Sequence, residues 1–393
     1  MFLCLLWHSY GKKEAGVVLR KLILVFLSIL LMLFITSCWD MVEIERYAFV
    51  LGIALDKADN GDEIEVTFQI AKPRAFNNNG GAEEFYWNIT EKEKDITEAQ
   101  KMLTKSINQI PTLEHCQVIL LGESIVKEGL GENLDYLLRT HEVRRRVLLA
   151  VVQGRAKDIL DMEFHTSVLP SFVIAEMLQE NSKYALELTN YMNLGRLHMA
   201  DISGYDFILA RILPMDNKID VSGGGAFRDM KLVGWLTGEE MMGIRFLRGD
   251  LGSGYLTVQL PDDLGDHAML KIFNAQSKLE PEIREDKLYV NLDLRIEGDI
   301  TEIVRDDLEI EEEEFLSRLE RIMEENIKHR VKKAFNKTLK EFNCEPFMLK
   351  EKAKSYYPDF WRKNQSHWEE VYKSAVLEIE ARVQIRRVGE IRH

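Results

Sequence analysis

Residues 311–342 read EEEEFLSRLERIMEENIKHRVKKAFNKTLKEF. Phe315, Leu316, Leu319, Ile322, Met323, Ile327, Val331, Phe335, Leu339 and Phe342 recur three or four positions apart. That period lays them along one side of an α-helix. Glutamates open the stretch and Lys/Arg fill its later half, so both ends suit the helix dipole, each end charge contributing typically about 0.3–1 kcal/mol. At about 1.5 Å per residue the helix is on the order of 45 Å long. A stripe of that length needs a cover, and SAVLEIEARVQIRRVG (374–389) supplies one. Ala375, Leu377, Ile379, Ala381, Val383 and Ile385 face one way, while Glu378, Glu380, Arg382, Gln384 and Arg386 face the other. A period of two is a half-buried strand, with its apolar face on the long helix and its polar face in water.

Working outward, GYLTVQL (254–260), HAMLKIFNAQSKLEPEI (267–283) and KLYVNLDLRIEGDI (287–300) also read as strands. Residues 249–393 are therefore expected as an α+β domain, a long amphipathic helix packed on an antiparallel sheet. Residues 201–248 hold short strands around turns, GYDFILARI (204–212) and DVSGGGAFRDMKLVGWL (220–236), and read as a small middle domain. Gly223, Gly224 and Gly225 lack the G-x-x-x-x-G-K-[ST] and G-x-G-x-x-G contexts of phosphate loops. They read as a hairpin in which backbone passes close to backbone.

Residues 38–200 read as α/β. AFVLGIALDK (48–57) and EIEVTFQIAK (63–72) are strands joined by a turn, and FNNNGGAEE (76–84) is a loop. Residues 96–110 carry helical spacing, with Asp95 as cap and Pro111 beyond the end. CQVILLG (116–122) and RRRVLLAVVQG (144–154) are buried strands around a helical LGENLDYLLRT (130–140). The arginines at 144–146 read as a solvated strand end.

The first 37 residues are of a different kind. Arg20 and Lys21 precede an apolar run over 22–35 broken only by Ser28, and small residues follow. This is the layout of an export signal, and the run is shorter than the roughly 20 residues of a spanning helix. Ile35-Thr36-Ser37-Cys38 resembles the bacterial lipobox: an aliphatic residue, two small ones, then cysteine. The resemblance implies a diacylglyceryl thioether on Cys38 and cleavage between Ser37 and Cys38. Residues 1–19 precede the basic patch by more than such signals need, which reads either as a true start near 17–19 or as a longer leader that is tolerated.

The net charge is −14. Residues 1–37 carry four basic side chains (Lys12, Lys13, Arg20, Lys21) and one acidic (Glu14), so their removal leaves the rest at −17. Such a balance speaks against nucleic acid and against electrostatic adhesion to anionic lipid. Cys116 and Cys344 are the cysteines left besides Cys4 and Cys38, too few for a disulfide framework, and each reads as a separate thiol. H-E-x-x-H, C-x-x-C and G-x-S-x-G are absent and the nine histidines are scattered. The sequence reading is a non-enzyme with no cofactor and no metal.

Three segments carry a resemblance that spans nearly all of residues 38–393. SCWDMVEIERYAFVLGIALDK (37–57) resembles the opening of the Ger(x)C family, the C-subunit lipoproteins of spore nutrient germinant receptors, with Trp39 and Asp40 behind the cysteine. GGGAFRDMKLVGWLTGEE (223–240) is similar to the family's central segment through Gly225, Phe227, Gly234, Trp235 and Glu240. YYPDFWRKNQSHWEEVYKSAVLEIEARVQIRRVGEI (356–391) is similar to its C-terminal segment through Pro358, Trp361, Trp368 and Gly389. The resemblance implies a three-domain lipoprotein (38–200, 201–248, 249–393) on the outer leaflet of the spore inner membrane, in complex with membrane-embedded A and B subunits. The tryptophans read as core, or as anchors at a subunit interface. Two functions stay open: a non-catalytic receptor subunit, or a lipid-anchored binding protein that captures the germinant itself in an interdomain cleft.

Overall fold

Four strands of the chain carry runs that are apolar without alternation and buried on both faces. β1 (Tyr47–Lys57), β5 (Val118–Gly122), β6 (Leu148–Val152) and β8 (Phe207–Met215) lie side by side and parallel in the computed structural model. That model describes residues 20–29, 43–72, 85–164, 169–216, 218–304 and 312–388. The box Ile35–Cys38, Trp39, Asp40, the loop 76–84 and Gly389 lie outside the described residues. Residues 20–29 are helical, and the described residues from 48 onward form one compact unit.

Side chains of the four parallel strands alternate between two cores. Leu55, Ile119, Leu121, Leu149, Val151 and Leu209 pack beneath α1 (Ile96–Ser106), α2 (Glu123–Glu128), α3 (Gly131–Arg139) and α6 (Leu194–Ser203). Ala54, Val118, Leu120, Ala150, Val152 and Ile212 pack beneath α4 (Ala156–Leu160) and α5 (Pro170–Gln179). Cover on both faces is the physical reason for the continuous apolar runs. Asp95 caps α1 as the sequence predicts, accepting the Glu98 N–H at 2.9 Å.

Antiparallel strands flank the parallel centre. β2 (Ile64–Ala71) and β3 (Tyr86–Glu93) extend from β1, and β9 (Lys218–Arg228) and β10 (Lys231–Leu236) from β8. Short β4 (Ile110–Thr112) and β7 (Met192–Asn193) pair with β1 and β6. Asp229 and Met230, with φ of 48° and 61°, make the two-residue turn between β9 and β10, the backbone that matches strand twist in a tight hairpin. The segment 201–248 thus contributes three strands to the first sheet and α7 (Gly238–Arg248) to the core below the second.

The second sheet holds β11 (Gly254–Gln259), β12 (His267–Arg284), β13 (Lys287–Val304) and β14 (Val376–Val388), in that order. It is antiparallel through β13, but β14 runs parallel to β13, from Tyr289 opposite Val376 onward. The expected all-antiparallel sheet is corrected on this point. A parallel neighbour needs a long crossover, and the chain supplies one in α8 (Glu312–Asn336), α9 (Leu349–Tyr356), α10 (Pro358–Asn364) and α11 (Trp368–Lys373). Phe315, Leu319, Met323, Ile327, Val331 and Phe335 of α8 are buried, in one core with Ala381 and Val383 of β14. On another side α8 meets α7 at Gly243, where a Cβ would stand 2.5 Å from the Arg330 carbonyl oxygen. Only glycine admits that approach. The class is α+β.

The long helix departs from the expected continuous α-helix at its end. Lys337–Glu341 form a π turn, and Thr338 Oγ1 donates back to the Ala334 carbonyl at 2.9 Å. Short π segments are frequent where a helix carries a functional contact.

Candidate functional site: a collar around the turn that ends the long helix

Phe227, Gly234 and Glu240 of the central motif segment, and Trp368 of the C-terminal one, gather around residues 337–345. On β9 and β10, Gly225 pairs with Trp235 and Phe227 with Leu232. Gly234 lies against Phe342, where a Cβ would come within 2.3 Å of the ring. The Phe227 carbonyl accepts from Cys344 Sγ at 3.5 Å, and the Phe227 ring stacks on Phe207 with centroids 5.0 Å apart. The next residue, Arg228, donates to the Asn343 carbonyl at 3.4 Å and pairs with Glu369.

Glu240 enters from α7. Thr237 and Glu240 form a reciprocal capping box at the helix start. The same buried carboxylate accepts Lys337 Nζ at 2.7 Å, with Lys333 Nζ at 3.7 Å. Burial alone would raise its pKa; the Lys337 and Thr237 N–H bonds and the two lysine charges outweigh that and hold it below the ordinary glutamate value.

From the other side come α10 and α11. Pro358 occupies the first position of α10, where its missing N–H costs nothing. Trp361 and Trp368 meet edge to face with centroids 5.3 Å apart. Trp368 is buried in the core below the second sheet, whereas Trp361 and Trp235 are partly buried. Tyr372 donates to the Asn343 carbonyl at 3.1 Å, and Asn343 Nδ2 donates to Glu369 at 2.6 Å. Asn343 itself sits at φ 52°, which an asparagine tolerates better than most residues.

A crevice of about 140 Å³ opens beside this turn, lined among others by Tyr205, Asp206, Glu345, Trp368 and Tyr372. Asp206 accepts the Glu345 N–H at 2.7 Å, tying the start of β8 to the segment after the long helix. The Glu345 carboxylate accepts the N–H groups of Phe347, Leu349 and Lys350 at 2.9, 3.0 and 3.2 Å, and so serves the open start of α9. Burial pushes Asp206 up to about 6 and Glu345 up to about 7, against the backbone hydrogen bonds that favour the charged forms. Burial also raises Cys344 well above the ordinary thiol value, which leaves it a poor nucleophile. Cys116 and Cys344 are both free and buried.

A second fastening lies nearby. Arg245 of α7, 1% exposed, donates to the carbonyls of Ser182, Ala185 and Leu188 at 3.0, 2.7 and 3.1 Å, and to that of Asp250 at 2.8 Å. Its fan of donors in one plane suits several carbonyls at once. Sequence reasoning missed Asp206, Arg245, Lys337 and the 342–345 turn. Pro346, just after "NCE", is the one sequence signal that α8 has ended there. Among the described residues no group of three or more His, Cys, Asp or Glu is placed to hold a metal. What the collar does chemically is hold: hydrogen bonds, ion pairs and close backbone contact join the first sheet to the second.

Two protein-family regions match the chain in succession, and all of the collar except Asp206 and Phe207 falls in the second. The model described as spore germination protein N-terminal domain matches residues 40–212, and that described as spore germination B3/GerAC like, C-terminal, matches residues 222–389. Fold and collar define the class, an α+β protein of two fastened halves. The chain belongs to the GerAC-like family of spore germination proteins. Among its relatives, spore germination protein B3 of Bacillus subtilis (strain 168) is 24% identical over 367 residues, covering 92% of this chain and 96% of that protein. Spore germination protein KC of the same strain is 23% identical over 403 residues, covering 94% and 96%. The crystal structure of the GerBC protein superposes with a TM-score of 0.58 at 20% identity, covering 88% of this chain and all of that one, a likeness of fold. The family is not a known family of enzymes.

Proposed function

We propose that this chain is the lipid-anchored C subunit of a nutrient germinant receptor of the spore. In this reading Cys38 carries a diacylglyceryl group after cleavage behind Ser37, and the body stands on the outer leaflet of the spore's inner membrane. It acts through contacts with membrane-embedded A and B subunits and not by catalysis. One observation carries the reading. The two family matches run in succession from Asp40 to Gly389, directly behind the box Ile35-Thr36-Ser37-Cys38. An acidic body that anionic lipid would repel needs a covalent tether, and two acyl chains hold where one is marginal. The hydrogen bonds and ion pairs of the collar suit a part whose task is to keep one shape for its partners.

The test is Cys38→Ala in sporulating cells fed a labelled fatty acid. The wild-type chain is expected to take up label and to begin at Cys38. The variant is expected to lose label, to stay unprocessed or detached from the membrane, and to abolish the germination response. A variant of the same mature size, membrane-bound and germinating normally, would make the anchor reading wrong.

A further inference from the structure

The outer edge of β14 is half closed. Edge strands present rows of unpaired N–H and C=O groups, open to pairing with another strand. Here Glu324 accepts the Val383 N–H at 3.0 Å and Glu320 the Ile385 N–H at 2.8 Å. Both carboxylates come from α8, which runs antiparallel to β14 across its apolar face. The spacing fits: four helical residues rise about 6 Å, and two strand residues about 6.6 Å. One turn further along α8 the series meets Lys328, which carries only donors and pairs with Glu325 at 2.8 Å. The cap therefore stops. By strand alternation the N–H groups of Leu377, Ile379 and Ala381 face the same edge, and no side chain among the described residues caps them.

The charges on the solvent face of β14 decide what that edge accepts. A second copy pairing antiparallel within the open half, centred on Ile379, would set Glu378 opposite Glu380. Centred between Ile379 and Ala381 it would set Glu380 opposite Glu380. Like charges directly opposite are unfavourable. Centred on Ala381, each Glu380 would stand opposite the other copy's Arg382, and Glu378 opposite Gln384. Glu380 and Arg382 already pair within one chain, so the dyad would close a square of four alternating charges. That favourable register needs the N–H groups of Val383 and Ile385, which Glu320 and Glu324 occupy.

The geometry points to Glu320 and Glu324 as a gate that closes the β14 edge of this chain against a second copy of itself. The inference is independent of the proposed receptor role. Its test is the mass of the full-length chain in detergent, followed with concentration by sedimentation equilibrium. The wild type is expected to be monomeric. Glu320→Ala/Glu324→Ala should form a defined dimer, with self-association tighter by about a hundredfold or more as the freed N–H groups find partners. Glu320→Asp/Glu324→Asp, which keeps the charges but withdraws the oxygens by one methylene, should do the same and decides the matter if the alanine pair fails to fold. Adding Glu380→Arg should weaken the dimer, and adding Arg382→Glu to that should restore it. A wild type that already pairs through β14, folded gate variants that stay monomeric, or a dimer indifferent to Glu380→Arg would each overturn the proposal.

Discussion

Lys337 Nζ stands 2.7 Å from Oε2 of Glu240, a carboxylate 4% exposed that also caps the helix it opens. One side chain thereby fixes the start of α7 and the end of α8 to each other. Loss of Glu240 removes the cap and the partner of both lysines at once, whereas loss of Lys337 leaves Glu240 with Lys333 and the Thr237 N–H. Glu240→Ala is expected to destabilise the chain by about 3 kcal/mol. Lys337→Ala should cost about 1 kcal/mol, since Lys333 remains near and Lys337 is partly exposed. Chemical denaturation of both variants checks the order; equal losses would contradict it. The depressed pKa of Glu240 means its stabilising charge is present above the ordinary glutamate range and is lost as pH falls through the lowered value.

Gly234 and Phe342 compete for one space. A methyl at position 234 would overlap the ring at 2.3 Å, so Gly234→Ala should cost about 1–3 kcal/mol through forced movement. Phe342→Ala alone should also destabilise, by loss of packing. Combined, they should cost less than the sum, because the truncated ring makes room for the methyl. A double-mutant cycle reads this directly, and strict additivity would show that the two do not share the site.

Asp206 and Glu345 set a pH dependence of opposite sign to that of Glu240. Their folded pKa values, about 6 and about 7, lie above the ordinary 3.8 and 4.5. The folded state then binds more protons, so their contribution is full below the ordinary values and is lost as pH rises through 6 and 7. Asp206→Asn keeps an acceptor for the Glu345 N–H without the titrating charge. Relative to wild type, this variant should gain in Tm as pH rises from 4 to 8. A Tm difference that stays constant over that range would mean that Asp206 titrates as an ordinary surface carboxylate.

Much of this architecture was legible in the chain because it rests on period. The stripe from Phe315 to Phe335 and the alternation from Ala375 to Ile385 each identify their element and the face it buries. The close-backbone reading of the glycine trio also finds its cause: a Cβ on Gly224 would meet Ile208 at 2.5 Å and the Leu209 carbonyl at 3.0 Å. The π turn was not legible, since Leu339 and Phe342 continue the apolar stripe through it. β3 escaped notice because Tyr86–Glu93 is a half-buried edge strand with Asn88, Thr90 and Lys92 among its residues. The direction of β14 is a property of the crossover and not of its own residues. Most of the collar was invisible for a similar reason: Asp206 and Glu345 are 139 positions apart and meet only through the fold.

Arg245 offers a separate test of the fastening between halves. It bridges the carbonyls of Ser182, Ala185 and Leu188, and a lysine there cannot span them. Arg245→Lys is expected to cost about 2–3 kcal/mol and to raise amide exchange across 182–188 more than within β5 or β6. Uniform exchange changes would argue against a local fastening.

The central claim is that this chain works as a tethered subunit among membrane partners. The most direct measurement is affinity purification of the tagged chain from spore inner membranes, with its companions identified by mass spectrometry, for wild type and Cys38→Ala. The account predicts two integral membrane proteins, of the A and B subunit kinds, recovered in constant proportion with the wild type and lost with the variant. Recovery of the wild-type chain alone from the membrane fraction, with no stable companion, would contradict it.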